Sequence, residues 1–114
     1  MITRHGQGKF YHSVVVHGDT LYLSGVIADD LSAPMAEQTR QVLEKIARTL
    51  GERGSSANNI LSATIYLADF SGKDAMNAVW AEWFDPADLP ARATVGVATL
   101  GKGVLIEISV TAAK

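Results

Sequence analysis

The sequence predicts a single α+β domain in which two helices pack on one face of a mixed β-sheet. Three observations predict it. Strand-like alternation and helix-like periodicity are interleaved along the chain in the order β-β-α-β-α-β-β. A chain of 114 residues can build one core, and nothing in it marks a linker or a repeat. Hydrophobic residues make up 47% and charged residues 19%, the balance of a folded globular chain.

The elements follow in order. Ser13 to His17 is rich in β-branched residues, and Gly18-Asp19 separates it from Thr20 to Ser24, which reads as two strands around a tight turn. Ser32 is a candidate N-cap with Pro34 near the first helical position. Met35, Thr39, Val42, Leu43, Ile46, Ala47 and Leu50 then recur at helical spacing, with Glu37, Arg40, Glu44, Lys45 and Arg48 on the other face. Gly51 and Gly54 stop this helix. Ile60 to Ala68 alternates as a strand with an apolar second face. Ser71 caps a second helix with the stripe Met76, Val79, Trp80, Trp83 and Phe84, ending before Asp85-Pro86. Two further strands, about Arg92 to Thr99 and Val104 to Ala112, are joined by Gly101-Lys102-Gly103 as a hairpin turn.

Two helices cover only one side of such a sheet. The other side, assigned Tyr66, Leu105, Thr94 and Gly96, is less polar than a water-facing surface, which predicts burial against other copies of the chain.

Composition narrows the function. The net charge of -2 gives no general attraction for nucleic acid. Cysteine is absent, which removes thiolate chemistry and fits a reducing, cytoplasmic setting. No apolar run of about 18 residues exists, so no membrane span is expected. His5, His12 and His17 have irregular spacing, and Gly6-Gln7-Gly8-Lys9 lacks the ending of a phosphate loop. These absences disfavour metalloenzyme and nucleotide-enzyme readings.

Two residues stand out. Arg92 opens a strand after Leu89-Pro90-Ala91, and its phase with Thr94 and Gly96 points it away from the helix-covered core. A guanidinium there is either an anchor for a ligand carboxylate or a strand-edge cation in solvent or an inter-subunit ion pair. Glu107 lies in the apolar stretch Val104 to Ile108, where a carboxylate must be paired, hydrogen-bonded or desolvated. It is either a proton acceptor for water or half of a structural ion pair. Ser24-Gly25 offers a hydroxyl and a backbone N–H, or is only a turn. Asn77 is a ligand contact or a surface side chain. Tyr11 closes a pocket or is half-buried in the core. If the turn centres near Lys102, Glu107 lies opposite about Val97, too far along for Arg92 and Glu107 to share one small ligand unless a bulge, a bridging molecule or a neighbouring subunit closes the gap.

Pro90-Ala91-Arg92-Ala93-Thr94-Val95, followed by Gly101-Lys102-Gly103-Val104-Leu105-Ile106-Glu107-Ile108, resembles the C-terminal signature of the RidA/YjgF family of reactive-intermediate (enamine/imine) deaminases. Leu23-Ser24-Gly25, Glu37 to Gln41, and Ala75 to Trp80 ahead of Trp83-Phe84 add to a resemblance that runs nearly the whole length. It is closest to the short YoaB-like branch.

The resemblance implies a chorismate-mutase-like fold and homotrimers with ligand clefts between subunits. It implies that Arg92 binds a substrate carboxylate, that Glu107 positions or activates water, and that Tyr11, Ser24, Gly25, Asn77 and Thr94 line the cleft. The implied reaction is hydrolysis of a 2-imino acid or its enamine tautomer to a 2-keto acid and ammonia, without cofactor. The alternative on the same scaffold is a non-catalytic binder of a small carboxylic metabolite; the family also contains deaminases dedicated to heterocycle or aromatic catabolism. The chain departs from the family pattern at Val26, where Gln is frequent, and at Lys9-Phe10-Tyr11-His12, where Gly-Pro-Tyr-Ser is usual. Its Asp85 to Leu89 loop is short, and Gly101-Lys102-Gly103 lacks the frequent proline.

Overall fold

A computed structural model describes residues 1–114. Its regular elements are β1 (Ile2–Gln7), β2 (His12–His17), β3 (Thr20–Leu23), α1 (Met35–Glu52), β4 (Ile60–Leu67), α2 (Lys73–Trp83), β5 (Ala91–Gly96) and β6 (Ile106–Ala113). They form one six-stranded sheet in the order β1-β2-β3-β6-β4-β5. Only β4 and β5 pair in parallel.

The topology explains why both helices lie on one face. Reading the antiparallel pairs β3–β6 and β6–β4 together, β3 and β4 run in the same direction. The connections β3-α1-β4 and β4-α2-β5 are therefore both parallel crossovers stepping the same way across the sheet. Crossovers of one hand place both helices on the same side. Strand β6 then fills the slot left between β3 and β4.

That slot overturns the expected C-terminal hairpin. β5 and β6 do not pair: β4 lies between them, and the Gly101-Lys102-Gly103 turn belongs to a connection that passes over the end of β4. The glycines still form a turn, with φ of 106° at Gly101 and 80° at Gly103, but local turn chemistry does not specify the partner strand. β6 takes the central position because Ile106, Ile108, Val110 and Ala112 are all buried beneath the helices. β5, mostly exposed and preceded by Pro90, takes the edge, where one row of its backbone groups is left without a strand partner. It ends at Gly96 rather than Thr99 because its partner β4 ends at Leu67, whose carbonyl accepts the last bond from Val97 N–H at 3.0 Å.

The first strand has no counterpart in the predicted order. β1 carries the polar sequence Ile2-Thr3-Arg4-His5-Gly6-Gln7 and pairs outside β2, mostly exposed. The β2–β3 hairpin forms as expected around Gly18, whose φ of 61° fits the first central position of a type II′ turn.

Helix starts differ in detail. Pro34, not Ser32, occupies the N-cap of α1, while the Ser32 hydroxyl and N–H both donate to Asp30 Oδ1. Gly72 precedes α2, and Asp69 caps the preceding turn by accepting from Ser71 N–H. Gly54, at φ 77°, closes the end of α1, with Ser55 N–H donating to the Leu50 carbonyl.

The core holds the α1 stripe, the α2 residues Met76, Val79 and Trp80, and the inward side chains of β2, β3, β4 and β6. One polar residue is built into it. Gln38 is fully buried, its amide donates to the Ala33 and Gly103 carbonyls, and its carbonyl accepts from Leu105 N–H. It thereby fastens the β5–β6 connection to α1.

The opposite face carries Val15, Tyr22, Tyr66, Val95, Glu107, Ser109 and Thr111, by the register of the paired strands. Tyr66 and Val95 are on it, but Thr94 and Gly96 are not, and Leu105 packs against the core. No helix is long and apolar enough to cross a membrane.

Candidate functional site

Arg92 sits where the edge strand passes α2. It pairs with Ala63, which is buried beneath the helices, so Arg92 and Thr94 lie on the helix-facing side of β5. This corrects the expected orientation: the phase within the strand was right, but the side facing the helices was not. The guanidinium carbon stands 5.1 Å from the centre of the Trp80 ring, and Nη1 is 3.9 Å from Met76 Sδ. Stacking on an aromatic face holds a guanidinium while leaving its N–H edge free. The only ion pairs in the chain are Arg40–Glu37 and Lys45–Asp29, so Arg92 has no carboxylate partner within it. Partial burial lowers its pKa from the usual arginine value. It nonetheless stays cationic at any physiological pH.

Asn77 stands next to Met76 and three residues before Trp80 on α2. Its Oδ1 is buried without a hydrogen-bond partner. An acceptor in that condition costs stability unless a donor reaches it. Arg92 and Thr94, on one face of β5, and Asn77, on α2 beside the Met76 that Arg92 touches, make up the group at the β5–α2 edge.

Glu107 belongs to a different group. It pairs with Tyr66 on the helix-free face of the sheet. Residues around Ile108 are clamped to the segment after β3: Val26 N–H donates to the Ile108 carbonyl at 2.9 Å, and Ile108 N–H returns a bond to Val26 at 3.1 Å. This bridge sets the Glu107 carboxyl directly against Gly25. A Cβ at Gly25 would overlap Oε2 and lie 2.7 Å from Cδ, so glycine is needed for the close approach rather than for a turn.

Ser24 precedes Gly25, and its N–H and hydroxyl both donate to the Ser13 carbonyl, at 3.0 and 3.4 Å. Tyr11, 63% exposed on the β1–β2 turn, joins Ser24 and Gly25 around a cavity of about 290 Å³. That volume suits a small metabolite. Tyr11, Ser24 and Gly25 line this cavity, and Glu107 joins them only through its contact with Gly25; together they make a second group.

The two groups do not meet in one chain. Arg92 and Glu107 are two strands apart, three register steps along, and on opposite faces. Strand spacing and rise put their Cα atoms about 14 Å apart, beyond the reach of one small ligand. The expected register opposite Val97 is replaced by one opposite Tyr66, and no bulge closes the gap.

Sequence reasoning also missed side chains around this geometry. Lys45 and Arg48, on the polar face of α1, line the 290 Å³ cavity, Lys45 half-buried and Arg48 exposed. Trp80 was read as core alone, and it is also the platform for Arg92. In sequence, the only cue was the pairing of a cation with an aromatic that the fold, not the spacing, brings together.

A family model described as endoribonuclease L-PSP matches residues 3–114. The RutC family protein YoaB of Escherichia coli K12 is 38% identical over 103 residues, covering 90% of each chain. A solved structure of an uncharacterized protein from Pseudomonas aeruginosa superposes with a TM-score of 0.96 at 35% identity, covering 100% of this chain and 99% of that one. A YjgF-family member from Neisseria meningitidis gives 0.94 at 35% identity, covering 100% and 95%. With the family model spanning nearly the whole chain and the fold shared throughout, this chain belongs to the RidA/YjgF family.

Proposed function

We propose that the chain hydrolyses reactive 2-imino acids, or their enamine tautomers, in a cleft completed by a second copy of itself in a homotrimer. The observation that carries this reading is the separation of two complementary half-sites. An unpaired guanidinium on a tryptophan platform lies at the β5 edge, and a carboxylate against a glycine lies by the β3 end of the sheet. Neither half binds and activates a small substrate alone. Association that brings one copy's β5 edge to another copy's Gly25 region would unite them, and the exposed Val95 and Tyr22 give the helix-free face apolar surface to bury.

In that cleft Arg92 holds the substrate carboxylate through two parallel N–H bonds. Glu107 takes a proton from water as its oxygen adds to the C=N carbon, while the imine nitrogen is protonated. The carbinolamine then loses ammonia as the C–N bond breaks, leaving the 2-keto acid. The substrate is already electrophilic, so positioning and proton transfer suffice. Tyr11, Ser24, Gly25, Asn77 and Thr94 are assigned to the cleft wall, Asn77 with an acceptor free for a substrate N–H.

A second reading is a non-catalytic binder of a small carboxylic metabolite. The same separation favours it if the copies do not bring Glu107 to Arg92. The deciding experiment generates an imino acid in situ from an amino acid and an oxidase. Keto-acid release faster than the buffer rate, lost in Arg92→Ala and Glu107→Gln, is expected. No acceleration over buffer for several imino acids would leave the binder.

A further inference from the structure

The cavity beside Ser24 and Gly25 has a charged wall that the reaction above does not use. Two cations of α1, Lys45 and Arg48, line it. Lys45 is committed: its ammonium donates to the Ile27 carbonyl at 2.8 Å and to Asp29 Oδ1 at 2.9 Å. Arg48 makes neither a hydrogen bond to another side chain nor an ion pair. Asp29 is the nearby carboxylate that feels its charge, and Lys45 already occupies it. The rest of the lining brings no acid: Tyr11, Ser13, Ser24 and Thr49 are neutral, and the remainder is apolar or glycine. Arg48 is therefore the one cation of the wall outside an ion pair, and it stands on the exposed side of that wall.

Resting on the proposed carboxylate cleft, we infer that Arg48 is a specificity residue for a second acidic group. The preferred ligands are then dicarboxylic 2-keto and 2-imino acids, with the α-carboxylate on Arg92 of a neighbouring copy and the side-chain carboxylate on Arg48. A cavity of about 290 Å³ holds such a five-carbon ligand, and a carboxylate matches the guanidinium fork in a way a neutral side chain cannot. Apolar ligands of equal length leave the cation without a partner while taking it partly out of water, which disfavours them.

The test is a binding comparison, independent of turnover. Titration calorimetry of the assembled protein with 2-oxoglutarate and with 4-methyl-2-oxopentanoate gives the ratio of their affinities. The expected result is a ratio of about ten in favour of the dicarboxylate, falling to near one in Arg48→Ala and only partly retained in Arg48→Lys, which keeps the charge and loses the fork. Circular dichroism and mass checks establish that each variant keeps its fold and assembly. A wild-type ratio near one, or a ratio unchanged in Arg48→Ala, would overturn the inference. Preference for the dicarboxylate without any imine hydrolysis would remove the deaminase reading and leave this one standing, and hydrolysis without the preference would do the reverse.

Discussion

Arg92, Gly25 and Glu107 carry the account at the scale of single residues, and each makes a separable prediction. Truncating Arg92 to alanine removes a charge-assisted fork and leaves Trp80 uncovered. Carboxylate binding is expected to weaken by at least about tenfold, with Arg92→Lys a poor substitute because an ammonium cannot match two oxygens in parallel. Ligand titration against the folded variants measures this. Glu107→Gln keeps the size and loses the base, so kcat should fall on the order of 10²-fold while binding persists. Gly25→Ala should mimic it for a steric reason, since the added methyl occupies the place of the carboxylate. Activity lost with an unchanged melting temperature is the expected signature, and full activity in Gly25→Ala would mean the carboxylate position does not matter.

Among elements, α1 and the strand ladder decide what the sequence could and could not reveal. The α1 stripe was legible because seven residues recur at helical spacing, six of them buried against the sheet; Gln38, by contrast, is a polar residue that only the fold explains. Replacing it by alanine leaves Leu105 N–H and two carbonyls without their partner. Unfolding by urea is expected to show a loss of about 2 kcal/mol, the cost of orphaned buried groups. Strand partners were not legible. Gly101-Lys102-Gly103 has the chemistry of a hairpin, yet pairing is chosen by which strand buries an apolar face, and β6 does so while β5 does not. The face of Arg92 failed for a different reason: its phase is opposite that of Val95, and Val95 is exposed on the helix-free face instead of buried beneath the helices. β1 went unseen because a polar edge strand has no alternation to read. At the same scale, Asp29, Asp30 and Asp69 have pKa values held below the ordinary 3.8 by Lys45, Ser32 and Ser71 respectively. A depressed carboxylate contributes stability above its unfolded pKa and loses it as pH falls through the folded one. Thermal melts should therefore stay level from neutrality down to about pH 5 and decline only below about pH 4. All three groups are exposed, so the decline attributable to them is small, and Asp29→Asn should remove only its own share.

For the whole molecule, the placement of Arg92 and Glu107 on opposite faces of one sheet turns a question of register into one of assembly. The signature residues were readable, as was the need for something to complete the cleft; which residues belonged to which half was not, because that depends on a crossover that sequence spacing does not encode. If the function lies between copies, no variant of one half can be rescued within its own chain, but it can be rescued by its neighbour. The most direct measurement mixes Arg92→Ala and Glu107→Gln chains, each inactive alone, by co-expression with distinct tags and isolation of the mixed assembly. In a mixed trimer of either composition, one of its three head-to-tail sites joins an intact Arg92 to an intact Glu107, so about a third of wild-type imine hydrolysis is expected to return. Mixed assemblies that form yet remain as inactive as either parent, beside an active wild type, would contradict a site shared between copies.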